Sequence, residues 1–373
     1  MKTIKDIEVL EGVKVLVRVD FNVPIKNGVV VEDFRIRSAF STIEFLQKGG
    51  AKVILIGHLE ANEASDNTFK PVAEHINSKL GKKVGFVANL RNANQYIENE
   101  LKNGDCVLLE NLRFDEGEKK NDPKFSQALA SLADIYVNDA FSVSHRAHAS
   151  VVGVPALLPS YAGFQLEREV SNLSKAFSPS HPFLFILGGA KFDTKLPLLE
   201  KFMKTADSVF VGGALATDFF KQKGYEIGVS LVSKGDFDLL KYANESKLML
   251  PVDILTQEGV EKSANSLAPT DNSMDCGSKT IALLEEKVRE AKFILWNGPL
   301  GIYEKGYKKG TLALAKMIAD KFGSVQSLVG GGDTVAAIAE NNDDDKFTFV
   351  STAGGAMLDF LANGTLPGIE ALG

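Results

Sequence analysis

The stretch Ser327–Glu340, SLVGGGDTVAAIAE, carries a short apolar strand through Gly330-Gly331-Gly332-Asp333-Thr334 into the helical run Val335–Glu340. Three glycines let the backbone turn sharply and let a ligand approach it closely. Asp333 or Thr334 can cap the helix that follows. The first N–H groups of a helix have no partner within it and lie at its positive end, which suits a phosphate. An Asp beside a phosphate suits Mg²⁺. The plain alternative is an ordinary capped strand-to-helix turn, and the rest of the chain decides between the two.

Outward from this stretch, short apolar runs alternate with amphipathic ones. The first half has Val13–Val19, Val53–Ile56, Val84–Val87, Val107–Leu109 and Ile135–Val137. The second has Phe183–Leu187, Val209–Val211, Leu248–Ile254, Phe293–Trp296, Ser327–Val329 and Phe347–Val350. Runs rich in Val, Ile, Leu and Phe read as strands buried on both faces. Stretches such as Arg35–Lys48, Pro123–Ala133 and Ile281–Ala291 read as the helices between them. Strand alternating with helix predicts parallel sheets with right-handed crossovers, and two sets of five or six strands predict two such sheets. The break falls near Pro155–Ser160, followed by a helix over Phe164–Phe177 that could connect the halves.

Ligands of open parallel sheets sit outside the carboxyl ends of the strands. In the first half those ends carry Asp20-Phe21-Asn22, Gly57-His58, Glu110-Asn111-Leu112-Arg113 and Asn138-Asp139, with His145, Arg146 and His148 just beyond. Six of the eight arginines lie before residue 160, and Arg is suited to bidentate grip on carboxylate or phosphate. In the second half the ends read Gly188-Gly189-Ala190-Lys191, Gly212-Gly213-Ala214, Asn297-Gly298-Pro299, Gly330–Thr334 and Ser351–Ala356. Five glycine floors in one half suit a nucleotide, whose phosphates need close backbone approach. The two unlike clefts predict a small polyanion on one domain, a nucleotide on the other, and domain closure for transfer between them.

Composition narrows the class. The 373 residues are 45% hydrophobic and 24% charged, ordinary for a globular chain of two domains. The net charge of −6 argues against a general nucleic-acid binder. No stretch approaches the ~18 apolar residues of a membrane span, and the N-terminus has no apolar leader. Cys106 and Cys276 form no disulfide framework or zinc spacing, which fits a reducing cytosol. The five histidines form no metal motif. A nicotinamide-dependent dehydrogenase would need GxGxxG opening a helix, and neither GGAKFD nor GGALAT has that spacing; no GxxxxGK[ST] loop occurs either.

An ordered set of motifs runs along nearly the whole chain: Arg18–Pro24 (RVDFNVP), Arg35-Ile36-Arg37, His58-Leu59, Glu110–Phe114 (ENLRF), Asp139–Phe141 with His145–His148, Gly188–Lys191 with Lys195, Trp296–Gly301 with Glu304, Gly330–Thr334 and Ser351–Ala356. In this the chain resembles the phosphoglycerate kinases. The resemblance implies two Rossmann-like three-layer α/β domains, each with a mainly parallel sheet, joined by a helix and hinge. It implies a phosphoglycerate-binding domain over 1–160, an interdomain helix and hinge over 161–180, a nucleotide-binding domain over 181–352, and a segment 353–373 returning to the first domain. It further implies a cytoplasmic monomer that reversibly transfers a phosphoryl group from 1,3-bisphosphoglycerate to Mg·ADP, giving 3-phosphoglycerate and ATP.

Matched by position, Asp20, Phe21, Asn22, Arg35, His58, Arg113 and Arg146 would bind phosphoglycerate, and Lys195, Glu304, Gly331, Gly332, Asp333 and Thr334 the nucleotide. Asp333 would be associated with the metal, while Arg35, Lys191 and the backbone at Gly331 and Gly354 would meet the transferring phosphoryl. Trp296 reads as core. The family usually has HLGRP after the second strand, whereas this chain has His58-Leu59-Glu60-Ala61-Asn62. Ala61 stands where the pattern has an arginine, and Glu60 adds a negative charge, so weaker or re-routed phosphoglycerate binding is expected, with a raised KM and nearly unchanged kcat. A nucleotide-binding member with weakened catalysis is the second reading, supported by Ala61.

Overall fold

The computed structural model describes residues 1–60, 67–235 and 237–373. They divide into two compact units, Met1–Ser171 with Thr365–Gly373, and Asn172–Gly364.

The first unit holds β1 (Lys14–Arg18), β2 (Ile25–Lys26), β3 (Val29–Val30), β4 (Lys52–Ile56), β5 (Gly85–Val87), β6 (Cys106–Leu109), β7 (Ile135–Asn138) and β8 (Ser160–Ala162). β2 and β3 pair as a small antiparallel hairpin. The other strands form one parallel sheet in the order β5-β6-β4-β1-β7-β8. Val15, Leu16 and Val17 of β1 are fully buried, as a strand with helices on both faces requires. The helix Phe34–Lys48 buries Ile36, Ala39, Phe40, Ile43 and Leu46, a stripe at helical spacing that seals one face. From β1 the chain adds β4 on one side and later β7 on the other, so the order reverses at β1. That reversal opens the crevice where ligands of such sheets bind.

The second unit contributes β9 (Phe183–Leu187), β10 (Ser208–Val211), β11 (Leu248–Met249), β12 (Asp253–Thr256), β13 (Glu261–Ser263), β14 (Ser273–Cys276), β15 (Phe293–Asn297), β16 (Gln326–Gly330) and β17 (Phe349–Ser351). Its main sheet is parallel in the order β11-β10-β9-β15-β16-β17 and reverses between β9 and β15. Every residue of β9 and β15 is buried. Trp296 is core, as read, with its indole N–H donating to Gly298 O at 2.9 Å.

The two parallel sheets are those the apolar runs predict, but several details differ. Leu248–Ile254, read as one strand, is split: β11 lies at the edge of the main sheet, and β12 joins β13 and β14 in a separate antiparallel sheet. Pro251, which has no N–H for a ladder, stands between them. Ser160–Ala162, read as a break, pairs with β7 as the sixth strand. The helix predicted over Phe164–Phe177 is α-helical to Leu173 and tightens to a 3-10 turn over Ser174–Phe177. Of residues 353–373, the helix Gly355–Asn363 stays in the second unit; Thr365–Gly373 belongs to the first, where the Gly368 N–H donates to Ser144 O at 2.8 Å.

The Gly330–Thr334 turn also differs in its cap. The helix begins at Gly332, with Gly331 as N-cap at φ +106°, so Asp333 and Thr334 lie inside its first turn and cap nothing. Thr334 Oγ1 instead accepts the Gly298 N–H at 3.1 Å and ties the β16 turn to the β15 turn.

Candidate active site

In the first unit two polar clusters form at the carboxyl ends of the strands. Asp20 follows β1 and is fixed from three sides. Its carboxylate accepts from Arg35 Nη1 at 3.0 Å, from Ser142 Oγ at 2.6 Å and from the Asn22 N–H at 3.3 Å. Arg35 Nη1 also donates to Asn22 O at 3.3 Å. Arg37, two residues on, pairs with Asp33 on an exposed face and takes no part. Phe21, expected to bind substrate, is fully buried in the core, because alternation along an extended chain turns it away from its neighbours Asp20 and Asn22.

The second cluster joins residues far apart in sequence. His58, after β4, is buried, and its Nδ1 lies 3.0 Å from Arg18 Nη2. A guanidinium only donates, so Nδ1 accepts and the proton of the neutral ring sits on Nε2. Burial first, then Arg18, Arg113 and Arg146, drives the His58 pKa far down, which keeps the ring neutral. Arg18 is itself fully buried and also donates to Val19 O at 2.9 Å. Arg113 and Arg146 line a cavity of about 480 Å³ with Glu60, Lys119, Asn111 and His148. Burial, then the Arg113 charge, brings His148 down to about 4, so it too is neutral at pH 7.

Glu60 sits among these cations. Its Oε1 is 2.8 Å from Arg146 Nη1 and 4.0 Å from Arg113 Nη2. The hydrogen bond from Arg146, with Arg113 and Lys119 beyond it, holds the carboxyl below its usual range. Ala61 lies outside the described residues.

The second unit encloses a different pocket. Its floor is Gly189, Gly213 and Pro299, its walls include Met274 and Leu300, and Glu304 and Asp333 face it. The glycines are required by contact as well as by turn: a Cβ at Gly188 would lie 2.3 Å from Pro299 O, and one at Gly213 2.7 Å from Gly189 N. By contrast, among the described residues nothing lies within 4 Å of a Cβ at Gly332 or Gly354, so the backbone at both helix starts is open to a ligand. Lys195 is buried beneath this floor, with Nζ donating to Gly188 O at 2.5 Å. Burial lowers its pKa to about 8, against the opposing pull of Asp333. Lys191 caps the helix Phe192–Thr205 at φ +67° with its side chain exposed.

The family model described as phosphoglycerate kinase matches residues 4–364. The chain belongs to the phosphoglycerate kinase family. Curated relatives named phosphoglycerate kinase include those of Dictyoglomus turgidum, 43% identical with 100% of this chain and 98% of that protein covered, and Finegoldia magna, 40% identical with the same coverage. Among solved structures, phosphoglycerate kinase from Coxiella burnetii superposes with a TM-score of 0.87 at 34% identity, covering 99% of this chain and 98% of that one. The Pyrococcus horikoshii OT3 enzyme gives 0.85 at 32%, covering 100% and 98%.

Members of a phosphoglycerate kinase family take ADP or ATP with a metal ion. Among the described residues no three His, Cys, Asp or Glu side chains converge on a common point. A Mg²⁺ held by one or two carboxylates plus substrate phosphates needs no such cage, and Asp333 with Glu304 on the pocket wall fits that mode. Sequence reasoning gave no ligand role to Lys119, Met274 or Leu300, since lone lysines and apolar residues carry no motif. Among the described residues no helix is long and apolar enough to cross a membrane.

Proposed function

We propose how this chain performs its family's reaction, the reversible transfer of a phosphoryl group between 1,3-bisphosphoglycerate and ADP. The observation that carries the reading is the partition of chemistry within a chain of this family. The guanidinium cavity lies wholly in the unit of Met1–Ser171 and Thr365–Gly373, and the glycine-floored pocket wholly in Asn172–Gly364. The first is the phosphoglycerate domain and the second the nucleotide domain.

Asp20 and Asn22 hold the glycerate hydroxyl, while Arg113 and Arg146 hold its phosphate, with neutral His58 donating from Nε2. In the ATP-consuming direction the nucleophile is the substrate carboxylate, ionised at pH 7 because such acids have pKa near ~4. No general base is needed, so catalysis is positioning plus charge stabilisation. Arg35, Lys191 and the N–H groups at Gly331–Gly332 and Gly354–Gly355 bear on the equatorial oxygens of the moving group. A Mg²⁺ bound with the nucleotide would offset phosphate charge, and Asp333 is the residue to hold it. Lys195 and Glu304 fix the nucleotide, and the two domains close to bring the substrates together. The chain acts as a cytoplasmic monomer.

A coupled assay tests this. Purified chain, Mg·ATP and 3-phosphoglycerate are linked to NADH oxidation through glyceraldehyde-3-phosphate dehydrogenase. Turnover should exceed a Lys191→Ala, Arg35→Ala control by orders of magnitude; equal rates would end the proposal. The reading as a binding protein with weakened catalysis is not favoured, since Arg35, Lys191, Glu304 and Asp333 are all present.

A further inference from the structure

Any anion entering the first unit's cavity meets a site that already contains a carboxylate. Glu60 Oε1 lies 2.8 Å from Arg146 Nη1, 3.7 Å from His58 Nε2 and 4.0 Å from Arg113 Nη2. The main chain sets it there, with the Glu60 N–H donating to Asn22 Oδ1 at 2.9 Å and the Leu59 N–H to Asn111 Oδ1 at 3.0 Å. The Glu60 side chain is 52% exposed, so its carboxylate can swing out without opening the core. Behind it, Arg18 is fully buried and, among the described residues, forms no ion pair. Its Nη2 lies 3.0 Å from His58 Nδ1, and the other ring nitrogen, Nε2, lies 3.7 Å from Glu60 Oε1.

We propose that Glu60 is a resident carboxylate of the anion site that competes with the incoming substrate phosphate and is displaced by it, so that every anion entering the cavity binds more weakly by the same factor. The proposal rests on reading this cavity as the phosphoglycerate site. A tethered carboxylate competes at high effective concentration and needs no free ligand. A phosphate dianion brings a second charge and further acceptor oxygens for the guanidinium forks, so its exchange is favourable. Without Glu60 the cluster would stand open and bind every competing anion more tightly, each by the same factor.

The test uses the full chain with Glu60→Gln, which keeps the shape and removes the charge. KM for 3-phosphoglycerate should fall about fivefold, the size of one partly exposed charge pair, with kcat moving less than KM. Competitive inhibition by acetate and by sulfate should tighten by the same factor, and KM should depend more steeply on ionic strength. Glu60→Asp, which keeps the charge, should stay nearer the wild-type KM than Glu60→Gln does. An unchanged or raised KM, or unchanged inhibition by acetate and sulfate, in a Glu60→Gln protein of wild-type melting temperature would overturn the proposal. If the wild-type chain shows no turnover, the functional reading fails separately. Acetate and sulfate binding, followed by thermal shift without any turnover, then still decides the role of Glu60.

Discussion

Lys191 holds φ +67° and ψ +75°, a left-handed conformation at the start of the Phe192–Thr205 helix. For a residue with a Cβ this costs roughly 1–2 kcal/mol, and such strain persists where function over-determines the backbone. The charge and the strain can be separated. Lys191→Gly and Lys191→Ala should both lose most of kcat, on the order of 10²–10³-fold for a donor to the moving phosphoryl. Only Lys191→Gly also removes the strain, so it should be more stable than Lys191→Ala by about 1 kcal/mol in urea unfolding. Equal stabilities would mean that the left-handed geometry carries no cost. Lys195 offers a pH readout in the same pocket. Its pKa, lowered to about 8 by burial, means that the folded chain releases its proton before the unfolded chain does. Its contribution to stability therefore rises with pH from about 8 toward the ordinary lysine value. In the proposed nucleotide-binding role of Lys195 the effect runs the other way, because phosphates would need the charged form. Affinity for Mg·ADP by calorimetry should hold steady below about pH 8 and weaken above it. The same profile in Lys195→Met would show that another group titrates.

At the scale of elements, the glycine turns sort into those that need glycine and those that tolerate a methyl group. Gly213 has φ +62° and Gly354 has φ +54°, whereas neither Ala214 nor Ala353 is among the residues with positive φ. The alanines therefore stand where a side chain costs nothing in backbone geometry, which residue order alone does not reveal. Gly354→Ala should destabilise by about 1–3 kcal/mol from conformation alone, since nothing lies near its Cβ. Gly213→Ala adds a clash with Gly189 and should cost clearly more; the reverse order would contradict this geometry. The Phe164–Leu173 helix is anchored differently, by buried Asp139, whose Oδ1 accepts the Gln165 N–H at 2.8 Å. Burial raises the Asp139 pKa to about 7. The folded chain thus holds this proton more tightly than the unfolded one. The stabilisation is complete below the ordinary Asp value and is lost as pH rises through about 7, with a ceiling of about 4 kcal/mol at ~1.4 kcal/mol per pKa unit. Unfolding free energies across pH 4–8 should show the wild type losing stability relative to Asp139→Asn as pH rises. Parallel curves would place the titration elsewhere. Elements were legible where their pattern was long and apolar. The β12–β14 sheet was not, because Glu261-Lys262-Ser263 is short and polar, and its pairing is tertiary rather than local.

For the whole molecule, two doubly wound sheets follow from the apolar runs, and the polar strand ends mark where ligands belong. What sequence could not supply is how side chains meet across distance. Glu60 is visible as a charge, but its contact with Arg146, 86 positions away, depends on both loops folding over the same cavity. Phe21 shows the converse, a residue inside a site motif whose side chain belongs to the core. Each proposed ligand site lies within one unit, so each ligand should bind alone and stabilise the chain alone, by about 2.7 kcal/mol at a hundredfold excess over Kd. In the proposed mechanism transfer requires more, namely that both bound ligands favour one closed arrangement. ADP with 3-phosphoglycerate makes a complete but unreactive pair, which isolates closure from chemistry. If closure couples the sites, 3-phosphoglycerate must tighten Mg·ADP binding by the same factor by which Mg·ADP tightens 3-phosphoglycerate. Calorimetry in both orders measures that factor. Small-angle scattering should show the radius of gyration falling with both ligands and little with either one. Unchanged scattering at saturation with both, together with independent affinities, would remove closure from the mechanism and leave the two sites without a route for transfer.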